Sequence, residues 1–418
     1  MKIRKIISFL LVAIIVFSCT AITSSAEDGY SGFKSMKKLT KQEIVSLSQN
    51  TPVSDNENIY INEPSVALPY SQGKVKDDII KAGLDRLNAY RRLAGLKNVT
   101  ISAEYTDFAQ TAALVTAANK KLSHAPSKPS GMSQEMFDKG YTGAAYGNLS
   151  YFYGNQPESG PLTFSVDMWM NDSDATNIDR LGHRRWLLNP TMGATGFGTA
   201  NNGQKYYSSL YAFDKSAKAD DFDFISWPPS GYMVSDAPLF TTEHAWNISL
   251  NPSKYSAPDI SGVSIEMKSE DGTYSFSKSS ADGYFNISTM GYGVNNAIIF
   301  RPEAVNEYNG KYTITVKGLK TASGQDTTLT YTVNFFTSDD TSEDNEEVPS
   351  LPATVTIGDI NKDGKITASD ARLALRAAAK LEHFNEEQTA AADVNADNKI
   401  TASDARKILR VSAKIDTF

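Results

Sequence analysis

The sequence DINKDGKITASD at residues 359–370 occurs a second time, as DVNADNKITASD, at residues 393–404. Positions 1, 3, 5 and 12 of both copies carry oxygen-bearing side chains, and the lysine at position 7 offers its backbone carbonyl. This is the ligand spacing of an EF-hand loop, in which carboxylate, amide and carbonyl oxygens surround a calcium ion. The sharp turn at position 6 falls on Gly364 and Asn398, which both tolerate a positive φ. The repeat therefore predicts two Ca²⁺ ions bound by these residues: Asp359, Asn361, Asp363, Lys365 and Asp370 in the first copy, and Asp393, Asn395, Asp397, Lys399 and Asp404 in the second.

Each loop is followed by apolar residues at helical spacing, beginning with Ala371 and Ala405. A proline and a β-branched run precede the first loop, so the sequence predicts that no helix enters it. Half of an EF-hand written twice resembles a type I dockerin, and the resemblance covers residues 357–418. It implies a calcium-dependent module that binds a cohesin module of a scaffold protein, as in extracellular complexes that degrade plant polysaccharides.

The resemblance also places the cohesin-binding residues. The family's recognition pair lies at loop positions 10 and 11, and an Arg–Leu–Arg set follows on the same helix face by i, i+3, i+4 spacing. The alternative for these arginines is an ordinary solvated helix face. Because both halves match, the module could dock in either of two orientations related by a half-turn. The predicted cohesin-binding residues are Ala368, Ser369, Arg372, Leu375 and Arg376, with Ala402, Ser403, Arg406, Leu409 and Arg410.

The N-terminus predicts export. Basic residues precede an apolar run at 6–17 that is too short to span a membrane, and small residues stand at 24–26. This is the pattern of a signal peptide over residues 1–26, which predicts a secreted, extracellular protein without a membrane segment in its mature form. The alternative is a lipid anchor at Cys19, although Phe17 and Ser18 suit a lipobox poorly. The mature chain then has no cysteine and no disulfide.

Composition excludes one class of partner. The net charge of −7 and the lack of a basic cluster argue against nucleic-acid binding. Hydrophobic residues make up 40% of the chain, which indicates a globular protein. The polar, proline-containing residues 27–75 predict a leader that drapes over the next domain.

Residues 76–224 alternate helical and β-prone segments. Helices are predicted from Lys76 to a stop at Gly95, from Ser102 to Lys121, and around 164–170. Helices around a short sheet indicate an α+β, three-layer fold. The segments NAYR (88–91), LSH (122–124), GNL (147–149), WMND (169–172), GHRRWLLNP (182–190) and GFG (196–198) resemble the CAP, or SCP-like, superfamily in its cysteine-free bacterial form.

A CAP cleft usually gathers two histidines and two glutamates, and the resemblance carries three of these positions onto this sequence. His124 and His183 match the histidines, Asp172 matches one acid with a shorter side chain, and Gly147 stands where the other glutamate is expected. The three residues could hold Zn²⁺ or another divalent ion, or serve as the catalytic acid–base set of a hydrolase, peptidase-like or metal-dependent. Alternatively, His183 is structural and His124 caps a helix end. The loss of one acid favours a non-catalytic cleft for an unknown glycan, lipid or peptide.

Residues 225–337 change to a period of two. Seven or eight short strands, with turns at 270–272, 281–283 and 308–310, are predicted here and indicate an immunoglobulin-like β-sandwich. Its predicted role is a spacer, a support for the cleft, or a second binding surface. His244 is predicted to lie at the surface or an edge.

The sequence thus predicts a multidomain protein that combines an α+β CAP-like α-β-α sandwich, an all-β Ig-like sandwich and a small all-α, EF-hand-like dockerin. Acidic residues and prolines between the last two modules predict an extended tether. The predicted function is docking onto a cohesin scaffold for extracellular polysaccharide catabolism. The predicted boundaries are 1–26 for the signal peptide, 27–75 for the leader, 76–224 for the CAP-like domain, 225–337 for the β-sandwich, 338–354 for the linker and 355–418 for the dockerin.

Overall fold

The computed structural model describes residues 22–25, 39–49, 51, 58–155, 157–341, 357–361, 365–384, 386–395 and 399–416. The chain divides into two compact units, Met1–Ser342 and Glu343–Phe418. Most of the predicted signal peptide, with Cys19, and most of the predicted linker lie outside the described residues. Among the described residues, no helix combines the length and apolar character that a membrane span requires.

The first half of the first unit contains both helices and short strands. In chain order they are β1 (Ile22–Ser25), α1 (Lys41–Ser48), β2 (Tyr60–Asn62), β3 (Lys74–Val75), α2 (Asp77–Leu93), β4 (Thr100–Ile101), α3 (Ala103–Asn119), α4 (Gln134–Ala145), β5 (Gly147–Tyr153), α5 (Pro161–Asn171), α6 (Gly182–Leu187), β6 (Ala194–Thr195), β7 (Phe197–Asn202) and β8 (Lys205–Tyr211).

The second half of this unit is built from strands: β9 (Phe224–Trp227), β10 (Gly231–Val234), β11 (Trp246–Leu250), β12 (Ser264–Ser269), β13 (Gly272–Ser277), β14 (Gly283–Ser288), β15 (Ala297–Pro302), β16 (Gly310–Lys320) and β17 (Asp326–Phe336). The second unit contains α7 (Ala368–Ala378), α8 (Glu386–Ala392) and α9 (Ala402–Ser412).

The predicted helices are present, and their ends have the expected causes. After α2, Gly95 takes a φ of +76° and the N–H of Leu96 donates to the carbonyl of Arg91, which is how glycine ends a helix. The hydroxyl of Ser102 caps α3 by accepting from the N–H of Tyr105. Helices α1 and α4 were not predicted from the sequence.

The first half is a three-layer α-β-α sandwich, as predicted. Strands β5, β8 and β7 form an antiparallel sheet in that order, with α3 and α4 on one face and α2 and α5 on the other. A Cβ on Gly198 of β7 would lie 2.2 Å from the Cα of Gln110. Only glycine therefore lets this strand approach α3 so closely.

The second half consists of two sheets, which fits the predicted β-sandwich. One has the order β14-β15-β11-β9, and the other has the order β1-β17-β16-β12-β13 with β10 also paired to β17. Strand β1 lies within the predicted signal peptide and pairs in parallel with β17. The predicted turn at 270–272 is the two-residue hairpin between β12 and β13.

The prediction for His244 was wrong. This residue is buried, and its Nδ1 accepts from the N–H of Thr241 at 2.9 Å. Burial, followed by the positive charge of Arg184, lowers the pKa of His244 to about 3, so the ring is neutral.

The predicted leader supplies part of the core. Ile44 and Val45 of α1, and Ile59 just before β2, are buried in the same hydrophobic cluster as Leu87 of α2. The cluster continues into both sheets of the β-sandwich. The predicted boundary between 224 and 225 therefore crosses a shared core, and the predicted domain boundaries stay predictions.

Two buried arginines join the halves of the first unit. Arg184 donates to the carbonyls of Met170 and Asn171 and also to the carbonyl of Ala245 and Oδ1 of Asn247. Burial lowers the pKa of Arg184 to about 10, so it remains charged at neutral pH. Its guanidinium thus connects the end of α5 to β11.

We expect Arg184→Met to destabilise the first unit by about 3 kcal/mol, because several buried acceptors lose their donor at once. Urea unfolding followed by tryptophan fluorescence measures this unit alone, since all four tryptophans precede residue 247. Arg92→Met, at an exposed position of α2, is the matched control. Equal unfolding midpoints for the two variants would show that Arg184 does not join the halves.

Candidate functional site

The first calcium loop is tied to its helix by Asp370. This fully buried carboxylate accepts from the N–H groups of Ile360 and Asn361 through Oδ1, at 3.0 and 3.1 Å. Its Oδ2 accepts from the N–H and hydroxyl of Thr367, both at 2.9 Å. The last ligand position of the loop therefore also completes a capping box at the start of α7.

The second loop repeats this arrangement and leaves one oxygen without a bond. Oδ2 of Asp404 accepts from the N–H and hydroxyl of Thr401 at 2.9 and 2.8 Å. Its Oδ1 is buried and has no hydrogen-bond partner among the described residues. Burial of an anionic oxygen without a partner is costly, so this oxygen fits a cation ligand. Asp363 and Asp397 lie outside the described residues.

The predicted cohesin-binding residues lie opposite the small core of the second unit. Residues such as Ala374 and Ile408 face that core. All ten predicted docking residues are exposed, including Leu375 at 51% and Leu409 at 50%. Two solvated leucines at equivalent positions of α7 and α9 are apolar surface that a partner protein can bury.

In the first unit, both predicted cleft histidines line one pocket of about 210 Å³. The pocket lies at the start of β5 and beside α6. Its lining residues are His124, Ala145, Gly147, Asn148, Asn177, Arg180, Gly182, His183, Trp186, Phe213 and Tyr292.

His183 is held by Asp172, which stands behind it and does not line the pocket. Oδ1 of Asp172 lies 2.8 Å from Nδ1 of His183, and Oδ2 accepts from the backbone N–H groups of His183 and Arg184. Burial lowers the pKa of His183, but the charge and hydrogen bond of Asp172 outweigh burial, and the net effect raises the pKa. The pair fixes the ring and favours the imidazolium.

His124 is placed by another helix. Its Nδ1 lies 2.8 Å from the carbonyl oxygen of Ala144, in the last turn of α4. Nε2 of neither histidine has a hydrogen-bond partner among the described residues. In each histidine, Nε2 is therefore the ring nitrogen that remains available to bind a ligand.

The expected second acid has no room in this fold. A Cβ on Gly147 would lie 2.3 Å from the carbonyl oxygen of Gly143 and 2.9 Å from that of Leu210. Within the described parts of the chain, no three His, Asp or Glu side chains form a group that could hold a metal ion. The pocket residues do not fit the predicted zinc site.

Several pocket residues were not predicted from the sequence. Trp186 follows His183 by three positions on α6, so helical spacing could have identified it. Phe213 stacks on Trp186 with ring centroids 3.9 Å apart. Tyr292 comes from the β-sandwich, and no local pattern connects it to the histidines.

Two family models match this chain. The model of the cysteine-rich secretory protein family matches residues 84–213, and the dockerin type I model matches residues 357–410. No curated protein matches.

Two solved structures are similar in part. A crystal structure of an extracellular protein containing a SCP domain from Bacillus anthracis str. Ames shows 16% identity and a TM-score of 0.23, and the match covers 33% of this chain and 41% of that one. The CAP domain of Enterococcal PrgA shows 18% identity and a TM-score of 0.23, with 45% and 88% covered. The chain thus spans about two fifths of the first structure.

The two matched segments agree with the two sites built above, the histidine pocket in one unit and the doubled calcium loop in the other. The chain contains a CAP domain, followed by a sheet-rich middle region and then by a C-terminal type I dockerin, the calcium-binding module with which cellulosome-type subunits dock onto cohesins.

Proposed function

We propose that this protein is a secreted subunit that docks through its dockerin onto a cohesin scaffold and serves extracellular polysaccharide breakdown. The observation that carries this proposal is the doubled loop, in which equivalent carboxylates are buried while equivalent docking residues are exposed. Ion pairs from Arg376 to Glu382 and from Arg410 to Asp416 repeat the correspondence beyond the loops. Two similar faces support docking in two orientations.

We propose further that the CAP pocket binds a glycan and does not catalyse its cleavage. Both carboxylate oxygens of Asp172 already bond to His183 and Arg184, and Gly147 has no side chain that could take part in catalysis. Among the described lining residues there is no serine, threonine or acidic side chain to act as a nucleophile. Aromatic rings, amides and imidazoles remain, which suits recognition of a sugar through stacking and hydrogen bonds.

The second candidate function is hydrolysis by the His124, Asp172 and His183 set. The His183–Asp172 pair favours it, because a carboxylate that orients an imidazole is a common arrangement in general acid–base catalysis. A water molecule would have to serve as the nucleophile.

Removal of calcium should unfold the dockerin and leave the first unit intact, because the ordered loops depend on bound ions. Hydrogen–deuterium exchange of the full chain, with and without EGTA, measures this. Faster exchange is expected in α7 and α9, and unchanged exchange in α2 is the internal control. We also expect Asp404→Asn to weaken calcium binding about tenfold, whereas Glu382→Gln, outside the loops, leaves it unchanged. Helices that stay protected in EGTA would contradict the calcium-dependent fold.

Substitution in one half of the dockerin should be tolerated, and substitution in both halves should not. Leu375→Ala with Arg376→Ala leaves the other face available, so we expect cohesin affinity to stay within about threefold. Adding Leu409→Ala and Arg410→Ala should weaken binding about 100-fold. Surface plasmon resonance against a cohesin panel, with calcium and with chelator, tests both. Loss of binding after the first pair alone would reject the two-orientation proposal.

The histidine pair separates binding from hydrolysis. We expect His124→Gln with His183→Gln to reduce glycan binding at least tenfold, with His383→Ala, an exposed histidine of the second unit, as control. Glycan arrays and product analysis on glycan and peptide panels are the measurements. Cleavage by the natural protein that disappears in the double variant would establish the hydrolase instead. Unchanged binding and no cleavage would reject a ligand role for both histidines.

A further inference from the structure

One wall of the histidine pocket comes from the β-sandwich. Tyr292 lies in the segment 289–296, between β14 and β15 of the four-stranded sheet. Its ring lines the pocket together with side chains of the CAP domain. A Cβ on Gly182 would lie 3.1 Å from Cδ1 of Tyr292, so the ring packs directly against the first residue of α6.

Arg185 fixes this segment. Its Nη2 donates to the carbonyls of Met290 and Val294 at 2.5 and 2.8 Å, and its Nη1 donates to Oγ of Ser288 at 3.0 Å. Its guanidinium carbon lies 5.4 Å from the centroid of the Tyr292 ring. Since Arg185 follows His183 by two residues, α6 positions the histidine and the tyrosine together.

The charges around the pocket favour an anion. Among the described lining residues none is acidic; Arg180 carries a positive charge, and the two imidazoles offer ring nitrogens. The nearby carboxylates are already engaged: Asp172 by His183, Asp179 by Arg180 at 2.7 Å, and Asp174 by Thr176 and Asn177.

The size and walls of the pocket favour a single ring. Its volume of about 210 Å³ is below the ~300 Å³ at which pockets for drug-sized ligands begin. Trp186, Phe213 and Tyr292 offer aromatic surface, and Asn148 and Asn177 offer amides. This combination suits a ring that carries hydroxyl groups.

We propose that the β-sandwich completes this pocket and that its ligand is a carboxylate-bearing sugar ring at the end of an acidic polysaccharide. Tyr292 contacts the sugar ring, and Arg180 and His183 bind the carboxylate. The proposal rests on the proposed role of the CAP pocket as a glycan site. It gives the β-sandwich a direct part in recognition and makes Tyr292 a specificity-determining residue.

The first test is titration calorimetry of the full calcium-loaded chain with trigalacturonate and with neutral galactotriose. We expect trigalacturonate to bind at least tenfold more tightly, because it alone carries a carboxylate that can form an ion pair with Arg180. Equal affinities would overturn the assignment of an acidic sugar. A peptide with a free C-terminal carboxylate that binds more tightly than trigalacturonate would also overturn it.

The second test changes the wall. Tyr292→Ala should weaken trigalacturonate binding about tenfold, and Tyr292→Phe should stay within about threefold, since the ring is kept. Tyr153→Ala, 69% exposed and outside the pocket lining, should have no effect. Unchanged affinity in Tyr292→Ala would show that the β-sandwich does not contribute to the site.

The third test uses pH. His183 faces Asp172, with Arg180 and Asp174 as the other charges that act on it. Because its pKa is raised, the imidazolium persists to higher pH and is lost as pH rises through that pKa. Affinity for trigalacturonate should therefore fall in the natural protein as pH rises through a value above the usual 6.5 of a histidine, and should depend less on pH in His183→Gln. Equal profiles in both would overturn the contact between His183 and the carboxylate.

The outcomes separate this inference from the function on which it rests. Suppose that Tyr292→Ala binds as tightly as the natural protein, whereas the histidine double variant loses binding. This result rejects a contribution of the β-sandwich to the pocket but keeps the proposal that the CAP pocket binds a glycan. If neither the acidic nor the neutral sugar binds, and the double variant changes nothing on a broader glycan array, both proposals fail.

Discussion

Four arginines are almost completely buried among the described residues of the first unit. Three of them, Arg91, Arg184 and Arg185, donate mainly to main-chain carbonyls. Arg91 donates to the carbonyls of Leu187, Asn189 and Met192, and Arg184 and Arg185 reach across to the β-sandwich. Burial lowers their pKa values to about 9 or 10, so all three stay charged at neutral pH. A buried charge must keep its partners. The segments that supply these carbonyls are therefore fixed relative to α6, which carries His183.

The second unit buries negative charge, whereas the first unit buries positive charge. Asp370 and Asp404 are fully buried in a module whose core consists largely of alanines, and alanine side chains bury little apolar surface. Helix caps and backbone N–H groups satisfy three of the four carboxylate oxygens. Oδ1 of Asp404 has no such partner among the described residues. A bound divalent cation would add the folding free energy that the small core does not provide, and it would also be a partner for the unpaired Oδ1 of Asp404.

Local patterns predicted the parts of the fold that local chemistry decides. The end of α2 at Gly95, the start of α3 near Ser102 and the turn at 270–272 follow from one or two residues. Helix α1 was not predicted although its start has a local signal, the capping box of Thr40 and Glu43. The burial of His244 did not follow from the sequence, because tertiary contacts decide it. The ring of His244 packs at a tilt against Phe240, and its Nδ1 accepts a hydrogen bond from the N–H of Thr241. The neighbouring residues in the sequence do not indicate that His244 is buried. The pocket divides in the same way: the motifs predicted His124 and His183, whereas Tyr292 reaches them through a different sheet.

Gly147 decides how the pocket differs from the expected cleft. A glutamate here would place its Cβ against the carbonyl oxygens of Gly143 and Leu210, so α4 and β8 would both have to move away from β5. Gly143 in turn packs against the backbone of Phe108, where a Cβ would approach an oxygen to 2.1 Å. The close packing of α3, α4 and the sheet thus requires glycine at position 147 and excludes a carboxylate there. A single substitution cannot restore it, and the lining therefore has two imidazoles and no acidic side chain among its described residues.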